Sequence, residues 1–530
     1  MKGLARATKR GRVRGLVVLA VALTALMAAD AALAQVSQRA CDRRNNNTYQ
    51  KLTQCIRLDQ VRAHQAALQS IADANGGNRF SGRPGYDRSV DYVVGKLKAA
   101  GYNVTVQPFD YLAFEVIGPS TLQQISPTPT TYVEDVDFGV ITQSDPGDVT
   151  ATVQAVDLQL GLGNTSTSGC EAADFAGFVP GRIALLQRGT CTFELKAENA
   201  AAAGAVGIVI FNQGNLATPD RQGIPAVTLT ANNTSGIPVL GTTYTLGAQL
   251  AGIVPSGLVM RVFANTFRQI LPTANVLAEK TGKNNDNVVM AGAHLDSVLD
   301  GPGINDNGSG SAALLEAAEQ LANIKPRNTM RFAWWGAEES GLVGSTNYVN
   351  GLSQAEKDRI ALYLNFDMVG SPNYIFMMQD ADQSSFVAPV AVPPGSTAIE
   401  DLFESLYTLR NEPYDDSAFD GRSDYQAFIV NGIPAGGLFT GAEVRKTAEQ
   451  ASIWGGTVGA QFDPCYHAAC DTFANNNDHA LDVNSDLIGS AILTFAYSTQ
   501  TVNGVPGDRV PGQGKSDLPA PAGSQKTFVP

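Results

Sequence analysis

Asn287-Val288-Val289-Met290-Ala291-Gly292-Ala293 is an apolar run that closes on His294-Leu295-Asp296 and is followed by Asn305-Asp306-Asn307-Gly308-Ser309-Gly310. The next stretch, Ser311 to Ile324, has the apolar spacing of a helix. A strand that ends in a polar loop and turns into a helix is the repeating unit of an α/β sheet. The same alternation continues outward. Met330 to Trp335 and Ile360 to Phe366 are further apolar strand candidates, and Ala398 to Arg410 has helical spacing. The predicted fold class is therefore α/β, a mixed, mostly parallel central sheet flanked by helices on both faces. Ligands bind such sheets beyond the carboxyl ends of the strands. His294, the pair Glu338-Glu339 and Asp367 each follow a predicted strand, so three loops are expected to converge on one edge.

The residue types in those loops point to a metal centre. Only four histidines occur in the chain. Besides His294, His467 stands in the distinctive segment Cys465-Tyr466-His467-Ala468-Ala469-Cys470. Singly, each feature has a plainer reading: a structural histidine, a solvated Glu-Glu pair, an Asn-Asp-Asn-Gly turn. In this order and context, two imidazoles with several carboxylates suit zinc, which takes N and O ligands and keeps a position for water. If Asp306 bridges two ions about 3.5–4 Å apart, each needs one histidine and one further carboxylate. His294, His467, Glu339 and Asp367 supply these, leaving Glu338 uncoordinated as a general base. Asp296 reads as the partner of the other ring nitrogen of His294. His64 and His479 read as ordinary surface residues without such partners.

Over residues 272–500 these motifs resemble the co-catalytic zinc metallopeptidase family that contains secreted bacterial aminopeptidases and the glutamate carboxypeptidases. The matching blocks are His294-x-Asp296, Asp306 to Gly310, Trp335 to Glu339, Asn365 to Asp367 and Cys465 to His467. The blocks Gly421-Arg422-Ser423-Asp424 and Gly437 to Gly441 look closest to the secreted aminopeptidases. The resemblance implies two Zn2+ per chain, one held by His294, Asp306 and Asp367 and the other by Asp306, Glu339 and His467. It implies Glu338 as the base, the Tyr466 hydroxyl as an oxyanion donor and Arg422 as a substrate contact. Large apolar N-terminal residues, leucine in particular, are the implied substrate preference. It also implies a Ca2+ site at Asp482 and Asp486, although those acids read from the sequence alone as N-capping groups of the following helix.

Between residues 124 and 265 the composition shifts to Thr, Gly and short β-type runs. Gly181 to Gly189, then Cys191-Thr192-Phe193, a helix over Glu194 to Ala203 and a strand over Gly207 to Asn212 resemble the protease-associated domain. This implies a small β-rich module without catalysis, inserted into the peptidase and often placed near its substrate entrance. A lid, a packing module and a substrate selector all remain open as its role. Residues 35–123 are then the N-terminal part of the peptidase domain, with helices over Arg57 to Asn75 and Val90 to Ala100 and a strand over Asn103 to Phe109. Residues 266–500 complete the peptidase domain, and the Pro-, Gly- and Ser-rich segment 501–530 reads as a flexible tail.

Basic residues from Lys2 to Arg14 precede the apolar run Gly15 to Ala29, and Ala32-Leu33-Ala34 suits signal-peptidase cleavage. That run is short for a membrane span. Residues 1–34 are expected to be a signal peptide, and a secreted, extracellular or periplasmic protein is expected without a stable membrane anchor. Removing them discards six basic residues and Asp30, taking the net charge from −13 to −18. Such a surface argues against nucleic acid as a partner. The expected partners are peptides or proteins with a free N-terminus, met by a monomer. Cys41/Cys55, Cys170/Cys191 and Cys465/Cys470 fall into local pairs, which in an exported chain read as disulfides. Three other readings stay in view: a carboxypeptidase or dipeptidase of the same family, a one-zinc glutaminyl cyclase, and a non-enzymatic receptor.

Overall fold

The computed structural model describes residues 36–513 and 518–529; the expected signal peptide lies outside the described residues. The chain forms two compact units, Met1–Gln107 with Ala274–Pro530, and Pro108–Thr273. The inserted unit thus extends beyond the expected 124–265 at both ends. Strands Asn103–Val116 and Thr266–Lys280 carry the chain across each boundary without a break, so no turn or change of composition marks the passage.

The sheet of the first unit has the order Asn103–Val116, Thr266–Lys280, Asn328–Trp335, Asn284–His294, Ile360–Phe366, Ala435–Phe439, Met377–Gln379, Asp415–Ser417. Its centre is parallel: Asn284–His294 lies between Asn328–Trp335 and Ile360–Phe366, and Ala435–Phe439 follows in the same direction. Thr266–Lys280 runs antiparallel to Asn328–Trp335, and Met377–Gln379 antiparallel to Ala435–Phe439 but parallel to Asp415–Ser417, which makes the sheet mixed. Alternate side chains enter different cores, as the pleat requires. Val289, Ala291 and Ala293 pack into one apolar cluster, while Met290 joins Trp335, Tyr363 and Phe428 in another. A sheet buried on both faces explains why its strands read as continuous apolar runs.

Helix Gly308–Leu321 is buried along almost its whole length. It starts two residues after Asp306 and is capped by the Asn307 side chain, which accepts the Gly310 N–H at 2.9 Å. A Cβ at Gly310 would stand 2.3 Å from the Phe366 carbonyl. Glycine there lets the helix start against the strand that delivers Asp367. Helix Pro84–Ala100 opens on proline and ends at Gly101, whose φ of 90° is left-handed, the usual start and stop chemistry.

The flexible-tail expectation is corrected over the described residues. The Gln525 N–H bonds the Tyr414 carbonyl at 2.9 Å. The Thr527 and Phe528 N–H groups donate to Asp415 Oδ2 at 2.7 and 3.0 Å. The Phe528 ring is buried against Phe386 and Phe462. One aromatic anchor with a carboxylate beneath it holds a segment whose composition reads as loose.

The second unit contains a sheet in the order Thr130–Thr131, Thr121–Ser126, Val259–Ala264, Gly147–Ala155, Ile183–Gln187, Gly207–Phe211, Val239–Thr242, Phe138–Val140. The expected strand, turn, helix and strand are present. Ile183–Gln187 leads to helix Phe193–Ala202, capped by Thr192, and then to the parallel strand Gly207–Phe211. All three expected disulfides form: Cys41–Cys55, Cys170–Cys191 and Cys465–Cys470. Among the described residues no helix is long and apolar enough to cross a membrane.

Candidate metal centre

The strand register sets the site. His294 pairs with Trp335, and Gly292 pairs with Asn365, so His294, Glu338-Glu339 and Asp367 leave the sheet at one edge. Asp306 enters from the helix start beside them. His294 Nε2 lies 3.2 Å from Asp306 Oδ1 and 3.2 Å from Asp367 Oδ1. His467 Nε2 lies 3.2 Å from the other Asp306 oxygen, Oδ2, and 3.0 Å from Glu339 Oε2. The two oxygens of Asp306 therefore face two separate imidazoles, each with its own second carboxylate. Glu338 Oε2 stands 3.9 Å from His294 Nε2.

This set fits metal ions. Ligands about 2.0–2.1 Å from a tetrahedral zinc stand roughly 3.3 Å from one another, and the spacings here are 3.0–3.2 Å. Glu339 Oε1 and His294 Nδ1 are buried without a hydrogen-bond partner. Asp306, Glu338, Glu339 and Asp367 also bring four carboxyl groups to one place, and cations would take over the role that protons on Glu338 and Glu339 otherwise fill.

The protonation pattern without metal agrees. Burial alone would lower His467, but Asp306 and Glu339 outweigh it and hold the imidazole at about 10. His294 is likewise raised against burial, by Glu338 and Asp367 first. Burial pushes Glu339 up to about 7, with Asp306 adding to it and His467 opposing. Glu338 is raised well above the carboxylate range, mainly by burial.

Further residues hold these side chains in place. Ser423 Oγ donates to Asp367 Oδ2 at 2.5 Å and accepts from Asn365 Nδ2 at 2.8 Å. Behind Asn365, Tyr363 OH donates at 3.0 Å and itself accepts from Trp335 Nε1 at 2.8 Å. Asp471 accepts the backbone N–H groups of Asn305 and Asp306 at 2.8 and 2.9 Å. Buried Arg79 donates to the carbonyls of Leu295, Pro302 and Gly303 and so ties together the two loops that carry His294 and Asp306. Asp296 lies 3.6 Å from His294 Nδ1, beyond hydrogen-bond reach, and accepts the Glu338 and Glu339 N–H groups at 3.3 Å. Its anchoring of the Glu pair was not expected. Ser423 lies within a block the sequence singles out; Arg79 and Asp471 have no motif around them.

The Cys465–Cys470 bridge closes the loop that presents His467, whose φ of 54° is left-handed. Tyr466 stacks on His467 with ring centroids 3.8 Å apart. Arg422 Nη2 donates to the Tyr466 oxygen at 3.1 Å, and Nη1 to Glu443 at 2.8 Å. Asp306, Glu339, Asp367 and His467 open with Glu338, Tyr466 and Arg422 onto a cavity of about 440 Å³, whose apolar wall includes Leu342, Met368, Phe439, Val444 and Phe528, and His294 lies buried behind them.

Two expectations are corrected. Asp482 and Asp486 do not cap the last long helix, Asp478–Tyr497, because Asn477 does. They lie inside it and face Arg410, at 3.8 and 2.6 Å. His64 is buried, not on the surface, and has close partners. His479 is exposed as expected, 3.2 Å from Glu412.

The model of "Peptidase family M28" matches residues 275–492, and that of "PA domain" residues 149–250. An aminopeptidase of Pseudomonas aeruginosa is 51% identical over 85% of this chain and 83% of its own. Leucine aminopeptidase 2 of Trichophyton equinum is 38% identical over 85% and 86%. Among solved structures, the aminopeptidase of Aneurinibacillus sp. strain AM-1 superposes with a TM-score of 0.60 and 28% identity, covering 88% of this chain and 98% of that one. A zinc aminopeptidase of Bacillus subtilis, 24% identical, shares the fold with a TM-score of 0.53 over 82% and 95%.

Proposed function

The chain belongs to peptidase family M28, carries an inserted PA domain and is a metallo-aminopeptidase; from that premise we propose a secreted enzyme that uses two zinc ions to remove large apolar residues from peptide N-termini. The observation that carries this reading is Asp306, with one oxygen toward His294 and Asp367 and the other toward His467 and Glu339. Zinc bound by these residues would polarise the scissile carbonyl and acidify the attacking water.

Glu338 holds no ligand position in this assignment, which leaves its carboxylate to take a proton and return it. It accepts the proton of the attacking water and delivers it to the leaving amine. Arg422 occupies a lone pair of the Tyr466 oxygen. The phenolic hydrogen is then free to donate to the oxygen that becomes negative in the transition state.

The cavity lining explains amino-terminal specificity by charge. With Asp306, Glu339 and Asp367 assigned to zinc, the acids that remain along it are Glu338, Asp420 and Glu443, against the single guanidinium of Arg422, which is already engaged by Glu443. Such a site attracts a free α-ammonium, received by Glu338 and Asp367, and disfavours a C-terminal carboxylate. That argues against the carboxypeptidase reading. The apolar wall accommodates a leucine-sized side chain. Three disulfides suit an oxidising compartment.

Initial rates on leucine p-nitroanilide and its N-acetylated form test the reading. Cleavage of the free amine alone is expected; equal cleavage of both would remove the α-ammonium from recognition.

A further inference from the structure

Helix Gly308–Leu321, which begins beside Asp306, carries a second cluster of imidazole and carboxylates further along. His64, on helix Leu58–Ala74, directs Nε2 toward Glu316 Oε2 at 3.5 Å and Glu319 Oε2 at 3.3 Å. The side chains of His64 and Glu316 are 4% and 1% exposed. Neither His64 Nε2 nor Glu316 Oε2 has a hydrogen-bond partner. All other polar positions around them are taken. His64 Nδ1 is 2.7 Å from Tyr92 OH. Glu316 Oε1 accepts from Gln320 Nε2 at 3.0 Å, and Glu319 Oε1 faces Lys96 Nζ at 3.6 Å from the solvent side.

We infer that His64, Glu316 and Glu319 form a separate metal site that takes a zinc ion and fastens helix Leu58–Ala74 to helix Gly308–Leu321. Three lone-pair atoms on two helices converge on one point and leave it without a donor. A simple ion pair would bring the imidazole N–H to one carboxylate at about 2.7–2.9 Å. Here both oxygens stand off at 3.3–3.5 Å, the edge length expected around a tetrahedral zinc with bonds of about 2.0–2.1 Å. One imidazole with two carboxylates is a donor set that zinc accepts. Nδ1 is engaged by Tyr92 OH at 2.7 Å, and with Nδ1 as the donor Nε2 is presented as a ligand. A fourth position would be left to water from the side of Glu319, whose side chain is 22% exposed.

The test is zinc content by plasma mass spectrometry after dialysis against zinc-containing and then zinc-free buffer. Wild type is compared with Glu316→Gln and with His294→Ala/His467→Ala, singly and combined, each checked for native circular dichroism. Glu316→Gln is expected to lose one equivalent relative to its parent in both backgrounds, while in the otherwise wild-type background leucine p-nitroanilide turnover stays within about twofold. His64→Gln, a second variant, is expected to lose the same equivalent. Unchanged zinc content on Glu316→Gln and His64→Gln would overturn the site. Failure of the catalytic assignment reads differently: His294→Ala/His467→Ala would then lose no zinc, whatever Glu316→Gln does.

Discussion

Two clusters of histidine and carboxylate are built from the same donors and placed in opposite surroundings. At the sheet edge, His294 ends a buried strand, while Asp306, Glu339, Asp367 and His467 open onto the cavity. Between the helices, His64 and Glu316 are sealed by packed side chains, and Tyr92, Gln320 and Lys96 occupy the flanks. Ligands alone therefore do not make a reaction site. The sheet edge adds an uncommitted carboxylate, Glu338, and a phenol, Tyr466, on the wall that a substrate would touch. The helix cluster adds only groups that fix its geometry.

The largest expected effect tests that difference directly. Glu338→Gln keeps the side-chain shape and removes the base, so kcat on leucine p-nitroanilide is expected to fall by roughly 10²–10⁴ with an unchanged melting temperature. Glu316→Gln, the same chemical change in the other cluster, is expected to spare kcat and lower the melting temperature. A Glu338→Gln enzyme with more than about a tenth of wild-type kcat would take Glu338 out of the proton transfer.

A smaller effect is expected one contact behind the ligands. Ser423→Ala removes the 2.5 Å hydrogen bond that orients Asp367. Losing such a partner costs about 10–100-fold in metal affinity or activity. If excess zinc restores the rate, the loss lies in affinity; if it does not, Ser423 orients the ligand for turnover.

How legible these two regions are in the sequence differs for a physical reason. Strand ends betray themselves through local apolar runs, so His294, Glu338-Glu339 and Asp367 are readable along with the sheet that carries them. Arg79 and Asp471 are not, because each reaches the loop of Asp306 from a distant part of the chain. His64 is misread because helix Leu58–Ala74 buries Val61, His64, Gln65, Leu68 and Ala72. A stripe counted from aliphatic residues alone passes over the two polar members and includes Ala66, which is exposed. Phe528 shows the same limit: one ring outweighs the composition of its segment.

The pH dependence of metal loading sharpens the account of the sheet-edge cluster. In the metal-free protein His467 is held at about 10, so near neutrality it carries a proton that ligation must displace. Glu339, held at about 7, carries a second below neutrality, whereas Asp306 is lowered and stays ionised. Zinc affinity is therefore expected to rise with pH, roughly tenfold per unit for each proton released, and more steeply below pH 7. Competition with a chromophoric chelator between pH 6 and 8 measures the slope. A flat profile would mean that the ligands are already deprotonated before the ion arrives.

The smallest expected effect separates a disulfide at the site from one away from it. Cys465–Cys470 spans 5 residues and Cys41–Cys55 spans 14. On the chain-entropy account these stabilise the fold by about 2 and about 3 kcal/mol, so stability alone favours the longer loop. The shorter one, however, holds His467 in a left-handed backbone conformation and Tyr466 against it. Cys465→Ser/Cys470→Ser is therefore expected to lower kcat/KM several-fold more than Cys41→Ser/Cys55→Ser, while lowering the melting temperature less. Paired measurements on both double variants decide it. If activity follows stability in both, the bridge at His467 is a staple like the other, and the ligand needs no preorganised loop.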